Sequence, residues 1–197
     1  MTAQMSDLVF DLSGDMLPVG YAYALWPALA RRAPAIAEHE SSGLLPLRGS
    51  ENENGLVLAR RAKLVLRLPH ASCDAARVLE QQDIALGAAT LRLGAAQTRE
   101  LQPYPTLHAH LVCGAEDELA FMAEVEQALE GMQVQARLIC GRPTRLSDGT
   151  QTLSGFSLVL HDLKPEDSLR VQAQGIGAHR RFGCGIFIPY KVITGLE

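Results

Sequence analysis

Eleven residues near the end of the chain, Gly175-Ile176-Gly177-Ala178-His179-Arg180-Arg181-Phe182-Gly183-Cys184-Gly185, gather residue types suited to work at a phosphate. The glycines let backbone approach a ligand closely, and the central His179-Arg180-Arg181 triplet brings positive charge to meet it. No Lys-Ser/Thr pair follows, so this is not a Walker-type phosphate loop. Its plain structural alternative is a glycine-rich turn before a last strand. His108 and His110 alternate in a strand-like segment and so share a face, which is metal-ligand spacing in principle. No third or fourth ligand stands near them, and we expect neither a metal nor a cofactor.

The distribution of charge extends the phosphate reading. A net charge of −4 argues against a polyanionic partner, yet residues 54–73, 131–147 and 168–196 contain no Asp or Glu and hold four, three and four Lys or Arg. Thus 11 of the 18 basic residues lie in acid-free stretches. If these converge in the fold, they form a local basic surface able to grip a phosphate backbone. Arg60, Arg61, Arg142 and Arg145 are the candidates outside the glycine loop.

Composition excludes several other classes. At 197 residues with 47% hydrophobic and 20% charged content, the chain is globular and long enough for one large domain or two small ones. The longest apolar run, Tyr21 to Ala30, is too short to span a membrane and contains Pro27. The N-terminus lacks the basic and apolar regions of a secretory signal. Cys73, Cys113, Cys140 and Cys184 are scattered without a CxxC pair, which fits reduced thiols in a cytoplasmic protein.

The elements that must position these residues follow from periodicity. Leu8 to Leu12 reads as a strand, and Tyr21 to Ala33 as a helix that Pro34 breaks, leaving Ala35 to Glu40 as a last turn or second short helix. After the polar loop 49–55, Leu56 to Leu58 and Ala62 to Leu68 read as strands, the second with Lys63, Val65 and Arg67 on one face. Ala71 to Gln82 has helical composition, and Ile84 to Leu86 pairs with Thr90 to Leu93 around Gly87. Pro103 and Pro105 mark an extended connector. The pattern then repeats: strand Thr106 to Cys113, helix Glu116 to Glu130 closed by Gly131, strand Val134 to Cys140, a hairpin around Asp148-Gly149, a helix opening at Lys164-Pro165, and strand Ile186 to Ile188. The expected architecture is α+β: tandem ferredoxin-like (RRM-like) βαββαβ domains with antiparallel sheets, residues 1–101 and 102–197.

The combination of the glycine loop GIGAHRRFGCGIFIP, the preceding PEDSLR, RLICGR at 137–142, the ARRAKLVLRLP strand and the His39-Glu40 pair after an N-terminal helix resembles the Cas-six-type CRISPR repeat-processing endoribonucleases, most closely their short Myxan-type branch. The resemblance runs from the first strand to the last. It implies tandem ferredoxin-like domains and metal-independent cleavage of precursor CRISPR RNA within each repeat. It also implies a stem-loop product that stays bound and enters an effector complex with other Cas subunits. The RNA-binding candidates are then Arg60, Arg61, Arg142, Arg145, Gly175, Gly177, His179, Arg180, Arg181, Gly183 and Gly185.

Cleavage of that kind needs proton transfer, because the substrate's 2′-hydroxyl attacks the adjacent phosphorus and the 5′-oxygen leaves. His39 stands where the family places its general acid/base. Read without the resemblance, it is a solvated histidine between Glu38 and Glu40. Some relatives add a tyrosine from the preceding helix and a lysine a few residues later. Here Tyr23 and Trp26 compete for the first place and Leu45 lies near the second, while Arg48 is the nearest cation downstream. Tyr23 is taken as the second catalytic candidate, its alternative being a core tyrosine with its hydroxyl at the rim. Two other functions fit less fully: a non-catalytic RNA-binding subunit of the same superfamily, or a ferredoxin-like enzyme holding a small phosphorylated ligand.

Overall fold

The first half of the chain runs β1 (Met5–Ser13), β2 (Met16–Leu17), α1 (Tyr21–Arg32), β3 (Gly43–Leu44), β4 (Gly49–Asn52), β5 (Gly55–Leu58), β6 (Lys63–Pro69), α2 (Cys73–Ala76), β7 (Asp83–Leu86) and β8 (Ala89–Glu100) in a computed structural model that describes residues 3–190. Apolar residues in β1 place Leu8 and Phe10 wholly inside, and β1 is the middle strand of an antiparallel sheet ordered β3-β6-β1-β8-β7. With β7 as an added edge strand, the succession β1, α1, β3, β6, α2, β8 is a ferredoxin-like βαββαβ. Helix α1 lays Ala22, Tyr23, Leu25, Trp26, Ala28 and Leu29 inward, a stripe at helical spacing that packs with Leu8, Phe10, Leu64, Leu66 and Leu91.

Three expectations for this half need correction. Leu56 to Leu58 is not the second core strand. As β5 it pairs with β2 and β4 in a separate three-stranded sheet, and the core strand is the two-residue β3, too short to leave a periodic trace. The helix expected over Ala71 to Gln82 is one α turn between two 3₁₀ turns, His70–Ser72 and Arg77–Leu79. Its buried residues Cys73, Ala76 and Leu79 recur every third position, the 3₁₀ period. The basic face of β6 is neutralised by its neighbour: register sets Asp7 opposite Arg67 and Asp11 opposite Lys63, and both ion pairs form.

The second half runs β9 (Leu107–Cys113), α3 (Glu118–Gly131), β10 (Arg137–Ser147), β11 (Thr152–His161), α4 (Pro165–Gln174) and β12 (Ile188–Pro189), with sheet order β10-β11-β9-β12. This is again βαββαβ. Asp117 caps α3 by accepting the Ala120 N–H at 2.9 Å, and Pro165 opens α4 with Glu166 and Asp167 in its first turn. Leu107, Phe121, Val125, Phe156, Leu158, Leu160, Val171 and Phe187 form its core. Gly131 is the last residue of α3 and Gln133 takes the left-handed conformation after it. The segment expected as strand Val134 to Cys140 is displaced into the longer β10, which carries both Arg142 and Arg145.

The chain divides into two compact units, with the main division between Leu101 and Gln102. Two short segments, Leu146–Leu153 and His179–Gly183, belong to the first unit although their neighbours belong to the second. Residues 191–196 of the third acid-free stretch, Lys191 among them, lie outside the described residues.

Candidate active site

His39 sits on a turn built from both sides. Pro34 starts a 3₁₀ turn over Pro34–Ala37 whose Ile36 is fully buried, and past the histidine Ser42, Gly43 and Leu44 are buried again where β3 joins the sheet. Between these anchors Glu38, His39 and Glu40 stand exposed. The Ser42 N–H donates to the His39 carbonyl at 3.0 Å, closing the turn, and the Ser41 N–H donates to His39 Nδ1 at 3.2 Å. A ring whose Nδ1 accepts carries its hydrogen on Nε2, the nitrogen left to meet a ligand.

The segment His179–Gly183 belongs to the same unit and meets that turn. His179 is left-handed at φ 67°, and Arg180–Phe182 form a 3₁₀ turn. Arg180 is 6% exposed and its Nε donates to the Ser41 carbonyl at 2.8 Å. Burial pushes this guanidinium down to about 10, with nearby Arg67 acting the same way and Asp7 opposing. Arg67, 1% exposed, is itself gripped by Asp7 through Nε at 2.8 Å and Nη2 at 3.0 Å. The Phe182 ring lies 4.8 Å from Tyr23, with the Arg181 guanidinium 4.8 Å over its centre and the His179 ring stacked nearly parallel at 6.3 Å.

This geometry sorts the expected site residues. It brings His39 and Arg180 together through Ser41. Arg180, expected among the RNA contacts, is a buried guanidinium tied to a backbone carbonyl. Tyr23, expected as the second catalytic group, is 8% exposed and its hydroxyl donates to the Leu146 carbonyl at 2.9 Å, within the first unit. Trp26 is buried in the same core. Arg48, Arg60, Arg61, Arg142, Arg145 and Arg181 are exposed, and none of them has an ion pair among the described residues. Lys63, Arg67, Arg137 and Arg170, by contrast, are each paired with an aspartate.

The loop glycines serve packing. A Cβ on Gly185, at φ 67°, would run into the Ile176 carbonyl, and one on Gly177, at φ 77°, would lie 3.0 Å from the Cys113 carbonyl oxygen. Gly175, Gly183 and Gly185 are buried, which leaves Gly177, half-exposed His179 and Arg181 as the accessible parts of that series. Beside the loop the Cys113 and Cys184 thiols hydrogen-bond each other, which holds Cys113 low and Cys184 high. His108 packs on Tyr190 at 5.5 Å, burial lowers its pKa, and no cluster of three metal-ligating side chains occurs among the described residues. Among those residues, too, no helix is long and apolar enough to cross a membrane.

A family model described as Cas6 Crispr matches residues 6–192. The chain belongs to the Cas6 family. It is 39% identical over 185 residues to the CRISPR-associated endonuclease Cas6 of Myxococcus xanthus (strain DK1622), covering 93% of this chain and 80% of that one. Its fold is similar to the solved structure of a Cas6-related gene product from Pyrococcus furiosus, with TM-score 0.69, 14% identity and coverage of 93% and 98% of the two chains. A second neighbour is Thermus thermophilus Cse3 bound to an RNA representing a pre-cleavage complex, at TM-score 0.54, 15% identity and 94% and 98% coverage. The resemblance read from the residues and the tandem ferredoxin-like fold are both met in this Cas6 chain. Sequence reasoning gave no site role to Ser41 within the histidine turn, or to Arg67 and Asp7 on the strands that follow β3 across the sheet. Only the Asp7–Arg67 pair left a signal, as opposite charges on two strand-like segments.

Proposed function

We propose that this Cas6 chain is a cytoplasmic, metal-independent endoribonuclease that cuts precursor CRISPR RNA within its repeats, with His39 as the proton-transferring group. The observation that carries this is the exposed His39 on a turn anchored at both ends, its Nδ1 occupied by the Ser41 N–H and its Nε2 without a hydrogen-bond partner among the described residues. The substrate's 2′-hydroxyl supplies the nucleophile, so the protein's task is to move protons and hold the phosphate. In its resting tautomer Nε2–H is a donor for the phosphate or the leaving 5′-oxygen. Full proton delivery requires the imidazolium, in which Nδ1 also carries hydrogen and releases Ser41; the turn then gives up one exposed hydrogen bond of 3.2 Å.

Exposed Arg60, Arg61, Arg142, Arg145 and Arg181, with His179, are the residues we assign to the repeat's phosphates and bases. The stem-loop product stays on the protein and passes with it to other Cas subunits. In single-turnover cleavage of a repeat RNA, His39→Ala lowers the rate roughly 10²- to 10⁴-fold with little change in binding. A 2′-deoxy nucleotide immediately 5′ of the cut blocks cleavage while permitting binding, excess EDTA leaves the rate intact, and the products carry a 2′,3′-cyclic phosphate and a 5′-hydroxyl. Wild-type cleavage by His39→Ala removes His39 from the mechanism; loss of activity in EDTA restored by magnesium refutes the 2′-hydroxyl route.

A further inference from the structure

Arg180 lies in a turn whose neighbours are open to solvent, half-exposed His179 and exposed Arg181, yet it is 6% exposed itself. One hydrogen bond is made by its guanidinium, from Nε to the Ser41 carbonyl at 2.8 Å; Nη1 and Nη2 are buried without a partner among the described residues, as is Ser42 Oγ. For stability alone this is a poor choice of side chain. A buried cation with donors left over is costly, and an apolar residue of similar volume commonly does as well or better at such a position. Charge compensation is indirect, since Asp7 is engaged in a bidentate grip on Arg67.

What the guanidinium does contact is informative. Ser41 accepts from Arg180 through its carbonyl and donates through its N–H to His39 Nδ1. One residue therefore links the glycine-loop arginine to the imidazole, and fixing the Ser41 carbonyl fixes the plane of the peptide after it and the pitch of the turn that presents the ring. We propose that Arg180 is a positioning residue for cleavage, acting through Ser41 to hold His39, and that it makes no contact with RNA phosphate. The proposal rests on the reading of His39 as the proton-transferring group.

The test pairs Arg180→Met, which keeps the stem's packing, with His39→Ala, using repeat RNA in single-turnover cleavage and in binding at several salt concentrations. Arg180→Met is expected to slow cleavage roughly 10- to 100-fold at saturating protein, with affinity and the log–log salt slope unchanged. The two losses should not add: in a His39→Ala background, Arg180→Met should cost nothing further, because its effect passes through the ring. Arg181→Ala serves as contrast and should weaken binding and flatten the slope. Arg180→Lys, which keeps a donor and the charge, should recover part of the rate. Where Arg180→Met does not fold, judged by fluorescence of the buried Trp26, Arg180→Lys decides alone: a three- to tenfold slower rate with unchanged slope supports the proposal, and a wild-type rate overturns it. A flattened slope in any Arg180 variant, or full additivity with His39→Ala, also overturns it. A wild-type rate for His39→Ala itself overturns the parent reading instead, so the two failures are distinguishable.

Discussion

Replacing Asp7 with Asn strikes the ion pair on Arg67, the residue opposite Gly43 of β3, without touching the His39 turn. Asp7 and Arg67 face each other across β1 and β6, their side chains are 18% and 1% exposed, and the guanidinium is held at 2.8 and 3.0 Å. Removing one partner of a buried pair costs about 3–5 kcal/mol, because the remaining charge stays desolvated. Asn preserves size and one acceptor oxygen, which favours the lower end, near 3 kcal/mol. The same carboxylate also supports the charge on Arg180, so the loss is not confined to one guanidinium. With urea m-values of about 1–3 kcal/mol per molar, the unfolding midpoint should fall by roughly 1–3 M. Trp26 is the single tryptophan, 7% exposed in the core of the first unit, so its fluorescence reports that unit selectively. Replacing both partners, as Asp7→Leu with Arg67→Met, should recover much of the loss, since no buried charge is then stranded. A loss under about 1 kcal/mol for Asp7→Asn, or a double variant no more stable than the single one, refutes the reasoning.

Tyr23→Phe should cost about 1–2 kcal/mol by stranding the Leu146 carbonyl, and should leave cleavage chemistry near the wild-type rate; a His39-sized loss would return Tyr23 to the mechanism. Burial raises the Tyr21 phenol from 10.0 to about 12, partly offset by the hydrogen bond from the Leu47 N–H. The folded state thus holds this proton more tightly than the unfolded chain, so stability is full below pH 10 and falls as pH rises toward 12, by at most roughly 3 kcal/mol. Urea midpoints by Trp26 fluorescence should show this decline flattened in Tyr21→Phe. Gly185→Val, forced against the Ile176 carbonyl at positive φ, should lower thermal stability sharply, and an unchanged melting temperature would mean that the loop has room to shift.

What the sequence disclosed was local. Helix α1, the proline-led α4, the Asp148-Gly149 hairpin and the run of β6 carry their own periodicity or turn chemistry, and each lies close to its expected place. Strand β3 was invisible because two residues hold no period and its pairing with Arg67 and Leu66 is a tertiary fact. The site was half legible. His39 was singled out by resemblance, and the structure sets it exposed on a turn. The surroundings of Arg180 and Tyr23 were not legible because the partners that define them, Ser41 and Leu146, are 139 and 123 residues away in the chain. Nothing in an HRR triplet says which arginine turns inward.

The two outlying segments of the first unit set a clock on the enzyme's birth. At about 5–20 residues per second, residues 102–183 take roughly 4–16 s to synthesise after residue 101. Through that interval α1 waits for the Leu146 carbonyl and Phe182, and the histidine turn waits for the arginine that will brace it. A nascent chain therefore carries His39 before Arg180 exists to hold the Ser41 carbonyl. Until residue 183 has been made, the first unit lacks two contacts that close it, Tyr23 on the Leu146 carbonyl and Arg180 on the Ser41 carbonyl.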